Sequence, residues 1–373
     1  MGEKRNALIT IGLISGIIFI LTIADFISEE RLFSETENRV LASKPDFSAE
    51  ALFLGDYTEK YETYVTDQFV SRDKWISVHT YTDLFLQKQE INGVYLGADG
   101  YLIEQHLPEK YTVAQETQKL DLLEKLVKRW DAMVMLVPTA DNILTDKMPA
   151  YGPYYDETRL LAQVEERVGE NHCVDVYSML WDHRQEEIYY RTDHHWTSLG
   201  AYYGYLAWTE AMGYEAFYHG SEALETVTDE FLGTLHSKIN LPIEGEKIQY
   251  FPETEEHVAK VTYDFQSVTD SCYEESHLDT KNKYAFFMDD NHGFVEIETE
   301  CHNGKAIFVI KDSYANCFIP MLTSHYEKIY VVDLRYFNGR LFGFMEKYEP
   351  EEGMDVLVLY NCIHFLDGFM YVE

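Results

Sequence analysis

Apolar residues fall along this chain in three patterns. The first is a block near the N-terminus: residues 7–24 carry no charge. A run of this length is at the short end of the roughly 17–25 residues that span a bilayer as a helix. Lys4 and Arg5 precede it, and Asp25, Glu29 and Glu30 follow. That bias puts the N-terminus in the cytoplasm and everything after the run outside. Thr22-Ile23-Ala24 also suits a signal peptidase, so a cleaved secretion signal competes with an uncleaved anchor. The run is longer than an ordinary signal core, which favours the anchor. Either way the chain is exported.

The second pattern has helical spacing. After a polar stretch at 28–48, read as a linker or extended arm, aromatic and aliphatic stripes predict helices at 51–66 and 72–89. Val94-Tyr95-Leu96 and Tyr101-Leu102-Ile103, joined through Gly97 and Gly100, predict a β-hairpin.

The third pattern alternates. Helical stretches at 112–130, 156–168 and 199–212 are interleaved with short continuous apolar runs at 133–137, 173–177, 306–310, 328–332 and 355–360. Such runs mark strands buried on both faces. The rhythm predicts an α/β domain with a mostly parallel sheet covered on both sides. Residues 213–300 interrupt it, and short runs at 258–263, 284–288 and 294–297 between acidic loops predict a β-rich insert. The expected organisation is a cytoplasmic stub and anchor at 1–27, a linker with helices at 28–90, and a main domain at 91–373.

Charge narrows the partners. Among 373 residues, 65 are acidic and 30 basic, a formal net charge of −35. No basic groove is available for a nucleic-acid backbone. The 29 Tyr and 21 Phe supply rings that either pack the core or stack on sugars. The five cysteines form no C-x-x-C pair. Cys173, Cys317 and Cys362 lie in or beside apolar runs and read as small buried residues. Cys272 and Cys301 flank polar sequence and could pair. The set is not a disulfide scaffold.

The chemistry concentrates at Arg191-Thr-Asp-His-His-Trp-Thr-Ser-Leu-Gly200. In an extended segment Asp193 and His195 face the same side, so the carboxylate can fix the imidazole tautomer and stabilise its cation. Thr197 or Ser198 then caps a helix. A metal site and a hydrogen-bonded turn are the competing readings. On an extended segment His194 and His195 would point apart, which makes them awkward joint ligands, and no Cys or spaced His completes a set. The residues call for no cofactor.

A nucleophile is offered by Ser313, just past the strand at 306–310. Sites in α/β sheets form beyond the carboxyl ends of the strands. Asp333 and Arg335 follow the strand at 328–332, and Asn361 follows that at 355–360. The Ser313 N–H and the Asn361 amide are candidate oxyanion donors. Arg335 either binds a substrate carboxylate or pairs with Asp333. Lys311 offers a Ser–Lys dyad and His292 a rival base.

These residues also carry a family likeness. Asp193-His194-His195-Trp196 resembles the motif that names the DHHW protein family. So do F-S-E-T-E-N-R at 33–39, D-Q-F-V-S-R-D at 67–73, N-G-V-Y-L-G at 92–97, I-K-D-S-Y-A-N at 310–316 and V-V-D-L-R-Y-F-N-G at 331–339. That family is similar to alginate O-acetyltransferase proteins of the SGNH hydrolase-like superfamily. The resemblance implies a three-layer α/β/α sandwich with Ser313 as nucleophile, His195 as base and Asp193 as orienting acid. The Asp, His, Ser order is the reverse of ordinary SGNH esterases. Lys311-Asp312-Ser313 stands where the family relatives have Gly-Asp-Ser. The resemblance further implies an O-acetyltransferase or acetylesterase acting on a cell-envelope or exported polysaccharide, with a membrane-bound O-acyltransferase as acyl-donor partner. A non-catalytic glycan-binding or assembly protein is the alternative.

Overall fold

The computed structural model describes residues 2–34, 39–218, 220–252, 258, 260–348 and 353–372. Residues 35–38 of the string at 33–39, and 259 of the run at 258–263, lie outside them. The chain forms two compact units, one of residues 1–88 with 237–242 and one of 89–236 with 243–373.

In the first unit, helix α1 (Gly2–Ile27) contains a 24-residue span, Lys4–Ile27, long and apolar enough to cross a membrane. Its last turn is tied down, since Val70 N–H donates to Asp25 at 3.1 Å. The predicted helix at 51–66 is two: α2 (Ala49–Leu54) and α3 (Asp56–Gln68). Gly55 breaks them apart at φ 92°, a left-handed conformation that favours glycine. Helix α4 (Arg72–Phe85) follows. The segment 237–242 joins this unit through Thr80 Oγ1, which donates to the Ile239 carbonyl at 2.7 Å, and through Asn240 Nδ2, which donates to Ser77 Oγ at 3.0 Å.

The second unit is built on seven strands: β1 (Met133–Val137), β2 (Lys260–Tyr263), β3 (Ser267–Thr269), β4 (Phe294–Glu298), β5 (Ala306–Lys311), β6 (Lys328–Asp333) and β7 (Asp355–Asn361). Their order is β3-β2-β4-β6-β5-β7-β1. The pairs β1–β7, β7–β5 and β5–β6 are parallel; β6–β4, β4–β2 and β2–β3 are antiparallel. The sheet is therefore evenly mixed rather than mostly parallel. The expected insert is not separate either, because β2, β3 and β4 extend the main sheet beyond β6. Within the described residues of the expected insert, the 225–231 and 246–250 strands form a ribbon of their own.

Two expected strands are absent. Cys173 makes one bridge to Val134. Asp175 then accepts from Ser178 N–H at 3.0 Å and starts helix α7 (Val176–Asp182). The run at 284–288 is a 3-10 turn. The three-stranded 90–104 ribbon adds Glu90–Ile91 to the expected hairpin.

Alternating residues bury both faces of the sheet. Ile307, Val309, Leu357 and Leu359 enter one apolar cluster with Leu180 of α7 and Tyr205 and Trp208 of α8 (Ser198–Met212). Phe308, Ile310, Val356 and Val358 enter the other, with Leu123 of α5 (Val113–Trp130), Leu160 of α6 (Glu157–Val168) and Phe365 of α9 (Cys362–Gly368). Helix starts follow the sequence: Thr112 and Gln115 form a capping box, and Thr197 caps α8. None of the five cysteines is in a disulfide, Cys272 and Cys301 included.

Candidate active site

Strands β5, β6 and β7 end at one edge of the sheet, and their last residues build the floor of the site. Past β5 the chain turns tightly. Asp312 caps a 3-10 helix, Ser313–Cys317, by accepting from Tyr314 N–H at 2.9 Å. Its other oxygen accepts from the Asn361 N–H at 3.0 Å and from His364 Nδ1 at 2.9 Å. Burial works against this fully buried carboxylate, but the hydrogen bond from His364, with the charge of Arg335, holds its pKa below the usual value. Ser313 thus stands at the first position of a pinned turn, with its amide N–H among the orphan donors that a helix start leaves.

The 191–196 segment comes over this floor from another direction. Glu246 accepts from the Arg191 and Thr192 N–H groups, each at 2.7 Å, and holds the approach. Asp193 Oδ1 accepts from His195 N–H at 3.1 Å and from His195 Nδ1 at 2.6 Å. Oδ2 accepts from Thr234 N–H at 2.8 Å and Thr234 Oγ1 at 2.9 Å. Burial opposes the charge, yet the facing imidazoles and these hydrogen bonds keep Asp193 far below the ordinary carboxylate range. An ionised carboxylate only accepts, so His195 Nδ1 carries the proton. In the neutral ring Nε2 is then the acceptor. It lies 2.8 Å from Ser313 Oγ.

The segment is a bend, not an extended strand, and this changes the expectation for His194. The two imidazoles do not point apart; their centroids are 3.9 Å apart. Asp193, His194 and His195 each offer a ligand atom within 4.8 Å of the others, so the set could hold an ion. Both ring nitrogens of His195 are already paired with Asp193 and Ser313, and His194 Nδ1 is 2.8 Å from Thr234 Oγ1. Burial first, then the neighbouring His195 charge, pushes the His194 pKa down to about 3 and keeps it neutral.

A family model, that of the DHHW protein, matches residues 131–332. This is more than half of the chain and takes in both halves of the site. The chain belongs to the DHHW family. No curated protein matches it. Among solved structures, a DHHW family protein from Eubacterium siraeum is 23% identical. It covers 76% of this chain and 98% of its own, with a TM-score of 0.60. Bacillus cereus PatB1 with a sulfonyl adduct is 20% identical, covers 73% and 97%, and scores 0.57. A second structure of Bacillus cereus PatB1 is 19% identical and scores 0.59 over 72% and 95%. These share the fold.

The DHHW tryptophan joins the two segments. Trp196 Nε1 donates to the Tyr314 carbonyl at 2.8 Å, and the Tyr314 hydroxyl donates to the His194 carbonyl. The other expected residues divide. Asn361 caps α9, its Oδ1 accepting from His364 N–H at 2.7 Å, which leaves its Nδ2 as a donor at the edge. Arg335 grips Asp333 with Nε at 2.9 Å and a terminal nitrogen at 2.6 Å, the pairing rather than an open guanidinium. Lys311 Nζ goes to Asn316 at 2.7 Å, Asn291 at 3.1 Å and Asp333 at 3.3 Å, not to Ser313. His292 is held by Asp264 at 2.9 Å and the Asp289 carbonyl at 2.8 Å. Sequence reasoning missed Tyr284, whose ring stacks on His195 with centroids 4.0 Å apart and planes 11° apart. Its hydroxyl donates to the Ser313 carbonyl at 3.2 Å. One tyrosine among 29 gives no signal of such a role.

Proposed function

We propose that this DHHW protein is a serine-dependent O-acetyltransferase or acetylesterase acting outside the cytoplasm on a polysaccharide. The observation that carries the reading is the continuous line Ser313 Oγ, His195 Nε2, His195 Nδ1, Asp193 Oδ1, at 2.8 and 2.6 Å. His195 takes the proton as Ser313 Oγ bonds to the acetyl carbon, and the buried Asp193 steadies the cation. His195 returns the proton to the leaving oxygen. A sugar hydroxyl or water then resolves the acyl-enzyme by the reverse sequence. Ser313 N–H and Asn361 Nδ2 are the proposed oxyanion donors, a function in which losing one typically costs roughly 10²–10³ in rate.

Several features support the rest of the reading. Coverage of both sheet faces fits the three-layer sandwich that the family likeness implies. Helix α1 supports reading a signal anchor with its N-terminus inside; on that reading the second unit lies outside and acyl supply falls to a membrane-bound O-acyltransferase. The test is the full-length chain in detergent with 4-nitrophenyl acetate. Wild type is expected to turn over, to gain one acetyl mass on Ser313, and to lose both in Ser313→Ala. Equal turnover by Ser313→Ala would remove the enzyme reading and leave glycan binding.

A further inference from the structure

A second Asp–His pair stands beside the nucleophile. His364, on the first turn of α9, has Nδ1 2.9 Å from Asp312 Oδ2. Asp312 is fully buried and immediately precedes Ser313. By the same argument that fixes His195, the carboxylate makes His364 Nδ1 the donor and leaves a lone pair on Nε2. That nitrogen has no partner among the described residues, and the side chain is 30% exposed. The ring lies edge-to-face with His194, centroids 5.8 Å apart, and His194 in turn lies against His195. The three imidazoles thus form a chain that starts at Ser313: His195 on its hydroxyl, His194 against His195, and His364 against His194. The first relays a proton, the second is hydrogen-bonded to Thr234, and the third presents an open acceptor to solvent.

We propose that His364 Nε2 accepts a hydrogen bond from a hydroxyl of the incoming sugar and so positions the acceptor at the acyl-enzyme. The inference rests on the serine-acyl reading above and names the group that favours a sugar over water in its second half. In that step the sugar hydroxyl gives its proton to His195 Nε2 as its oxygen bonds to the acetyl carbon. The bond to Ser313 Oγ breaks, and Oγ takes the proton back. A neighbouring hydroxyl on the same ring donates to His364. Water has no second hydroxyl to hold there. His364 is a positioning residue: it touches the acceptor, not the reacting bond.

The experiment measures partition, because transfer and hydrolysis leave the same intermediate and their ratio is blind to how fast it forms. Full-length protein in detergent is given 4-nitrophenyl acetate with methyl β-D-glucopyranoside, and acetylated glucoside is counted against acetate by mass spectrometry. His364→Asn keeps a donor near the Nδ1 position for Asp312 but lacks the Nε2 acceptor. It is expected to lower the ratio about 10-fold and to raise the glucoside KM, the worth of one neutral hydrogen bond. His364→Gln, with an acceptor oxygen near the Nε2 position, is expected to recover part of the loss. A ratio in His364→Asn within 2-fold of wild type overturns the proposal and leaves His364 a brace for Asp312. A wild type that forms acetyl-Ser313 but transfers nothing to the glucoside also counts against it. Absence of acetyl-Ser313 in wild type is a different failure and takes the parent reading down with it.

Discussion

Asp193→Asn removes one charge and leaves the shape. The carboxylate is the acceptor for four donors, two from His195 and two from Thr234. An amide has one oxygen, so one side must face an NH₂ group. If the oxygen stays with His195, the tautomer is kept and the Thr234 N–H loses its acceptor. If it turns to Thr234, the NH₂ faces His195 Nδ1, the ring proton moves to Nε2, and the base can no longer accept from Ser313. In the first case the loss is the attraction between the carboxylate and the imidazolium formed in the transition state. At about 4 Å between charge centres and an effective dielectric near 20, that is about 4 kcal/mol, or roughly 10³ in rate. In the second case the loss approaches that of a wrong tautomer, about 10⁴. The expected outcome is a fall of 10³–10⁴ in kcat/KM for 4-nitrophenyl acetate, with the unfolding midpoint measured alongside. A folded Asp193→Asn within 10-fold of wild type would refute the reasoning, since His195 would then be working without its carboxylate.

Four further outcomes follow from single contacts. A Cβ on Gly233 would lie 2.3 Å from Asp193 Cβ and 2.4 Å from its Oδ2; Gly233→Ala is expected to cut ester turnover at least 10²-fold and to cost about 1–3 kcal/mol in a thermal melt. Trp196→Phe leaves the buried Tyr314 carbonyl with the weak Cys317 thiol donor alone and is expected to cost about 1–3 kcal/mol in urea unfolding. Tyr284→Phe keeps the ring on His195 and is expected to stay within 10-fold of wild-type turnover, whereas Tyr284→Ala removes the stack and falls well below it. Glu157, buried beside Thr139 and Asp141, is pushed up to about 8 by burial and then by the Asp141 charge. Its folded value exceeds its unfolded one, so wild type loses stability as pH rises from about 4.5 to 8. Glu157→Gln escapes that loss, and its stability relative to wild type is expected to climb by up to about 1.4 kcal/mol per pH unit across that window in pH-dependent melts.

The parallel half of the sheet was legible because β1, β5, β6 and β7 each have a continuous apolar middle, with polar residues only at their ends. A strand buried on both faces has no polar side to confuse with a loop. The antiparallel half was not, since pairing of β4 with β6 is a long-range event that leaves no local mark. Two apolar runs misled for a local reason. At 173–177 the Asp175 cap competes with strand pairing and wins after one bridge. At 284–288 the backbone of Met288, Asp289 and Asp290 turns to positive φ, between 51° and 74°, and no strand can pass through that. Gly55 was visible, but a single glycine inside a helical stripe reads equally as a weak point or a break. The mixed sheet has a consequence for the site: β4 covers β6 on its outer side, so β5, the strand that delivers Ser313, lies fully inside the sheet and is held on both edges.

The hydrogen bond between Asp193 and His195 forms for a reason other than the one that predicted it. An extended i, i+2 relation would place both side chains on one side and throw His194 to the other. The chain instead bends, and Asp193 Oδ1 accepts from the backbone and the ring of the same residue. That bend produces the acid–base pair equally well, and it folds His194 in beside His195, where an extended strand could not. The sequence pattern D-x-H is compatible with both backbones, so it carried the pair but not the place of His194. His364 was illegible for a stronger reason. Its position depends on Asp312, whose carboxylate accepts from Asn361 N–H and His364 Nδ1 and so ties the ends of β5 and β7 to the first turn of α9. A residue whose role depends on the closing of two strand ends has no signature in either strand alone. It follows that Asp312 has two parts here, shaping the turn that bears Ser313 and aiming His364. Substitutions at Asp312 therefore cannot separate the two, and His364→Asn, which keeps a donor for the carboxylate, is the informative change.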